Sequence, residues 1–217
     1  MRRTTPYLAL LAVGLGALLA LSGARGQSGG EPVVPLPVGK QPGHVGHGTP
    51  LHADEGRQLA IFAQGCFWGA EYRFRKVPGV VATAVGYTGG TVNAPSYEEV
   101  SSHGSGHAES VLVEFDPKKV SYQALLEIFW NSHDPTTRDR QGPDSGSQYR
   151  SAIFTFTPEQ LRAALASRDS EQQRLVQPIT TEIRMAEPFW IAEAYHQQWD
   201  ERHGRESCPL PRHAARK

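Results

Sequence analysis

Beyond residue 56 the apolar positions of the chain switch between two periods. Gln58 to Ala63 (QLAIFA), Val80 to Tyr87 (VVATAVGY) and Ala108 to Phe115 (AESVLVEF) are short apolar or alternating runs bounded by turn residues, the signature of strands. Cys66 to Lys76 follows Gly65 and is stopped by Pro78-Gly79, which predicts a helix beginning at the cysteine. Ser121 to Ser132 carries Leu125, Ile128 and Phe129 at helical spacing behind an N-capping serine. Tyr149 to Phe156 and Thr181 to Met185 read as strands. Thr157-Pro158-Glu159 opens a helix to about Val176, and Phe189 to His203 reads as a last helix. Tyr97 falls in a polar loop, and 134–146 (DPTTRDRQGPDSG) in a long one. Strands and helices alternate in mixed order with short connections, which predicts an α+β two-layer sandwich with an irregular tail.

The first 55 residues break this pattern. Arg2-Arg3, an uncharged run from Tyr7 to Leu21 and the small residues Ser22, Gly23 and Ala24 form a secretory signal over 1–26. The run is shorter than the roughly 18–20 residues of a spanning helix. Export to a periplasmic or extracellular space is therefore expected, with a membrane anchor only if the segment stays uncleaved. Residues 27–55, Gly- and Pro-rich with no apolar period, read as a linker. His44, His47 and His52 lie there without a carboxylate or cysteine framework and read as solvated. The folded domain is expected to span 56–217.

Composition narrows the chemistry. The 217 residues balance 22 Lys+Arg against 22 Asp+Glu, so no global field draws in nucleic acid, and nothing demands more than a monomer. Two cysteines, Cys66 and Cys208, allow one bridge, a reactive thiol, or both in turn, and no metal site appears. Gly65-Cys66-Phe67-Trp68-Gly69 puts a thiol at a helix start, where backbone N–H groups lower a thiol pKa and make a nucleophile. A buried structural cysteine among core aromatics fits the pentapeptide equally well. Phe67 and Trp68 are either a substrate wall or core. Glu109 shares strand parity with Val111, Val113 and Phe115, so it should face the core, where desolvation raises its pKa toward that of a general acid. A structural hydrogen bond is the alternative. Tyr97 and Tyr149 could donate to a developing charge, and Asp144 reads as a turn residue.

These segments together resemble the class A peptide methionine sulfoxide reductases. The likeness rests on GCFWGAEYRF (65–74), GYTGG (86–90), SYEEV (96–100), GHAESV (106–111), FWNSHDPT (129–136) and RQGPDSGSQYRSAIF (140–154). It implies a ferredoxin-like mixed sheet and reduction of free and protein-bound methionine S-sulfoxide, a repair of oxidative damage. Cys66 would be the nucleophile on sulfur and Glu109 the acid toward oxygen. Tyr97 and Tyr149 would hold that oxygen, Asp144 would orient the site, and Phe67 and Trp68 would receive the S-methyl group. Cys208 resembles the resolving cysteine that condenses with a Cys66 sulfenic acid. Ser101 stands where relatives often carry a cysteine, and no cysteine follows Cys208. The resemblance then implies a two-cysteine cycle, with no bound cofactor, recycled by an external dithiol of the thioredoxin type. Two competing readings are a cysteine hydrolase using His103, His107 or His133 as base, and a binding module with an inert Cys66.

Overall fold

The computed structural model describes residue 53 and residues 55–205. The signal segment, the linker apart from residues 53 and 55, and Cys208 lie outside the described residues. In chain order the elements are β1 (Gln58–Gln64), α1 (Phe67–Arg75), β2 (Val80–Thr88), α2 (Tyr97–Ser101), β3 (Ala108–Phe115) and α3 (Tyr122–Ser132). They continue with β4 (Arg140–Gln141), β5 (Asp144–Ser145), a 3-10 turn at Ser147–Tyr149, β6 (Ser151–Thr155) and α4 (Pro158–Arg174). Last come β7 (Glu182–Met185), β8 (Trp190–Ile191), a 3-10 turn at Ala194–His196 and α5 (Trp199–Arg202).

Among the described residues six strands form one mixed sheet in the order β7-β6-β1-β3-β2-β8, with β4 and β5 as a separate hairpin. Only β6 and β7 pair in parallel; the other neighbours are antiparallel. This is the α+β class expected from the alternation of patterns. Period-two alternation sorts β1 onto two buried faces. Ala60 and Phe62 meet α1, α3 and α4 through Ala70, Phe74, Leu125, Phe129 and Ala164. Leu59, Ile61 and Ala63 meet Phe154, Leu112 and Phe189 on the other side. Phe62 is fully buried and stacks on Phe74 at 4.8 Å between ring centroids, so Phe62→Ala would cost about 3–5 kcal/mol.

Three local expectations are corrected. Tyr97 does not lie in a loop: Ser96 and Glu99 form a reciprocal capping box that starts α2 at Tyr97. Tyr149 precedes its strand, in a 3-10 turn entered through Gly146 at φ 144°. The segment from Phe189 to His203 is not one helix. Its first residues satisfy the open edge of β2, where Trp190 and Ile191 pair with Tyr87 and Gly86, while Phe189 fills the second core. The Gln197 side chain then bonds the Val85 N–H (2.9 Å) and the carbonyls of Val85 (3.0 Å) and Ala192 (2.9 Å). Gln198, left-handed at φ 48°, breaks any helical continuation before α5.

A buried carboxylate fixes this segment to α1. Glu71 accepts bonds from the Gln198 backbone N–H (2.6 Å), the Gln198 amide (3.0 Å) and the Thr83 hydroxyl (2.9 Å). Burial raises its pKa, against the pull of those bonds and of Arg75. The nearby Arg75 reaches Glu201 of α5 at 2.7 Å.

Candidate active site

Gly65 makes the turn from β1 into α1 at φ +92°, and a Cβ there would lie 2.7 Å from the Gln141 side chain. The Gln141 amide in turn brackets Asp134, accepting from its N–H at 3.2 Å and donating to its carbonyl at 3.1 Å. The turn delivers Cys66 to the N-cap of α1 as a free, half-buried thiol. Its acidity departs from the sequence expectation. The Cys66 pKa is pushed up to about 12, first by burial and then by the Glu109 carboxylate. The Trp68 N–H pulls the other way, and Asp144 and Asp200 add to the rise. Desolvation and surrounding acids outweigh the helix terminus, so the resting group is a thiol.

Glu109 faces the helix side of the sheet, as its parity with Val111 and Val113 predicts. It is 2 % exposed, and its Oε2 accepts the Phe67 N–H at 3.1 Å. Burial pushes its pKa up to about 8; the Phe67 bond opposes this and Asp144 adds to it. At neutral pH the carboxyl is therefore mostly protonated, and its push on Cys66 is correspondingly relieved.

Tyr97 and Tyr149 join this pair from α2 and the 3-10 turn. Burial is the main cause raising both phenols, and the charges of Glu109, Cys66 and Asp144 act on each. A hydrogen bond from Tyr149 favours the ionised form of Tyr97, against that rise. Both hydroxyls thus keep their protons at neutral pH. Asp144, half-buried on the β4-β5 hairpin, is close enough to act on all four groups. The structure therefore brings Cys66, Glu109, Tyr97, Tyr149 and Asp144 to one place.

Phe67 is buried against Tyr87 (5.9 Å) and His196 (5.0 Å). Trp68, half-buried, donates its indole N–H to His196 Nδ1 at 3.0 Å and stacks on Trp199 at 4.1 Å. The sequence reading gave His196, Trp199 and Glu193 no role in the site, because a single helix from 189 to 203 gives them no common destination. Pro188 just ahead of the segment is as compatible with a helix start as Pro158 is, so no local signal argued against that helix. The three hydrolase candidates are engaged elsewhere. His103 pairs with Gln148, His107 with the Gly90 N–H and the Val92 carbonyl, and His133 with the Phe129 carbonyl and Ser151. Among the described residues no group of three or more His, Cys, Asp or Glu could hold a metal ion.

A thiol, a protonated carboxyl and two phenols converging beside an aromatic wall define a thiol-dependent enzyme with an acid beside its cysteine. The comparisons narrow that class. The family model for peptide methionine sulfoxide reductase matches residues 58–217. A peptide methionine sulfoxide reductase MsrA of Rhodospirillum centenum is 54% identical over 171 residues, covering 76% of this chain and 77% of that protein. The solved methionine sulfoxide reductase A of Corynebacterium diphtheriae is 34% identical with a TM-score of 0.67, covering 83% of this chain and 89% of that one. Mxr1 of Saccharomyces cerevisiae in its reduced form is 31% identical with a TM-score of 0.69, over 76% and 96% of the two chains. The same yeast protein is solved in complex with Trx2, at 25% identity and a TM-score of 0.51, over 78% and 96%. The chain belongs to the peptide methionine sulfoxide reductase family, class A, and is an enzyme of the MsrA type.

Proposed function

We propose that this enzyme reduces methionine S-sulfoxide, free and in oxidised proteins, through a sulfenic acid on Cys66. The observation that carries the reading is Glu109, a carboxyl held mostly protonated at neutral pH whose field acts on the one described thiol. Cys66 attacks the sulfoxide sulfur, forming an S–S bond as the oxygen takes the Glu109 proton and the thiol proton and leaves as water. Water then adds to the Cys66 sulfur and breaks its bond to the substrate. Methionine departs reduced, Glu109 recovers a proton, and Cys66 is left as the sulfenic acid. Tyr97 and Tyr149 donate hydrogen bonds to the oxygen before it leaves, Asp144 orients them, and Phe67 and Trp68 receive the methyl group.

Cys208 then condenses with the sulfenic acid, giving a Cys66–Cys208 disulfide and a second water. An external dithiol reduces that disulfide by exchange. Crystallisation of yeast Mxr1 with Trx2 supports a thioredoxin-like reductant for this chain too. The N-terminal pattern supports work outside the cytoplasm, with residues 1–26 as the export signal.

The test is single-turnover reduction of a methionine S-sulfoxide peptide. Cys66→Ser should yield no methionine. Cys208→Ser should yield one methionine per chain and leave Cys66 oxidised by one oxygen atom in the mass spectrum. Binding of the peptide by the unmutated protein without any methionine formed would defeat the reading in favour of a binding module.

A further inference from the structure

The Glu193 carboxylate sits just before the 3-10 turn Ala194–His196 and has two occupied oxygens. Oε1 accepts the backbone N–H of Tyr97 at 2.8 Å, and Oε2 accepts the Tyr87 hydroxyl at 2.9 Å. Oε2 also lies 3.9 Å from Nε2 of His196, an imidazole 1 % exposed whose Nε2 has no hydrogen-bond partner among the described residues. One side chain thereby joins β2, the start of α2 and the segment that edges the sheet.

We propose that Glu193 is a positioning residue for sulfoxide reduction, acting by fixing Tyr97 through its backbone N–H. The proposal rests on the reading of Tyr97 as a hydroxyl that holds the sulfoxide oxygen. Tyr97 is the first residue of a helix of five. The first N–H groups of a helix have no partner within it, and the Ser96 hydroxyl is already committed to the Glu99 N–H at 3.3 Å. So short a helix does not hold itself in place and depends on tertiary contacts. A carboxylate at its N-terminus satisfies the orphan donor and favours the helix dipole. Tyr87 is fully buried and cannot turn to bulk water, so its bond locks the second carboxylate oxygen and with it the direction of the first. The Tyr97 ring packs 4.7 Å from His196, whose Nδ1 holds Trp68, so α2 and the methyl wall share one support.

A double-mutant cycle on the full chain tests this, read as the single-turnover rate on a methionine S-sulfoxide peptide. Glu193→Ala should slow the reaction about tenfold through misplacement of Tyr97. In a Tyr97→Phe background the same change should slow it by less than about twofold, since the group it positions is already gone. Glu193→Gln keeps a carbonyl oxygen for the Tyr97 N–H and should restore the rate to within about twofold of the unmutated enzyme. If Glu193→Ala does not fold, Glu193→Asp, which withdraws the carboxylate by one methylene, takes its place in the cycle with the same expectation. Full multiplication of the two effects, with Tyr97→Phe itself slow, would overturn the positioning role and leave the Tyr97 reading standing. Tyr97→Phe at the unmutated rate would overturn both.

Discussion

The N–H of Phe67, one residue past Cys66, donates to the carboxylate of Glu109 at 3.1 Å. That bond ties the start of α1 to the middle strand pair of the sheet and sets Cys66 and its acid in a fixed relation. It also favours ionised Glu109, yet burial outweighs it and the carboxyl stays mostly protonated at neutral pH.

The first consequence is a pH profile. In the proposed mechanism the sulfoxide oxygen takes the Glu109 proton, and that proton is lost as pH rises through about 8. The single-turnover rate should be flat between about pH 6 and 7 and fall toward tenfold per unit above pH 8. Glu109→Gln should lower the rate by about 10²–10⁴-fold and abolish this limb. Stopped-flow measurement of both proteins across pH 5 to 10 checks it.

Glu109 should also cost stability. Its folded pKa, about 8, lies above the ordinary carboxylate value of 4.5, so the folded state holds the proton more tightly than the unfolded state between those values. Stability conferred on the protonated form is complete below pH 4.5 and is lost as pH rises to 8, by up to about 1.4 kcal/mol per unit. Glu109→Gln, which still accepts from Phe67, should therefore be more stable than the unmutated protein at pH 8 and not at pH 4.5. Urea denaturation at the two pH values decides.

His196 titrates with the opposite sign. Burial lowers its pKa from 6.5 to about 4, with the Glu193 charge opposing. The unfolded chain takes up the proton first, so the contribution is intact above pH 6.5 and falls away toward pH 4, again by up to about 1.4 kcal/mol per unit. His196→Gln should remove that acid slope while offering the Trp68 indole another acceptor. Denaturation midpoints from pH 4 to 7 report it; an unchanged slope would count against the imidazole.

Gly65 tolerates no side chain. Its φ of +92° is costly for any other residue, and a Cβ would collide with Gln141. Gly65→Ala should lose about 1–3 kcal/mol and slow the reaction through displacement of Cys66. Thermal melting and the single-turnover rate should change together.

Much of this was legible before any fold was known. Period-two runs located the central strands, and the parity of Glu109 with Val111 and Val113 placed its carboxyl on the buried face, because a pleated strand leaves a side chain only two directions. Ser121 and Thr157 stand as N-caps where their sequence signals put them. The capping box at Ser96 and Glu99 was readable too, and would have moved Tyr97 from loop to helix. The segment after Phe189 was not readable. Its conformation is set by the exposed edge of β2 and by the buried backbone groups that Gln197 satisfies, both of them partners about a hundred residues away.

The sequence by itself determined the central strands, the helices α1, α3 and α4 and which chemical groups are available, since propensity, capping and strand parity are local properties. Only the tertiary structure decided how those groups behave. The acidity of Cys66 and of Glu109 depends on burial and on charges contributed by distant segments; for Cys66 this reverses the expectation drawn from the helix terminus alone, and for Glu109 it agrees with the expected rise. The support of Tyr97 by Glu193 likewise spans 96 residues, a separation that the folded sheet closes to 2.8 Å.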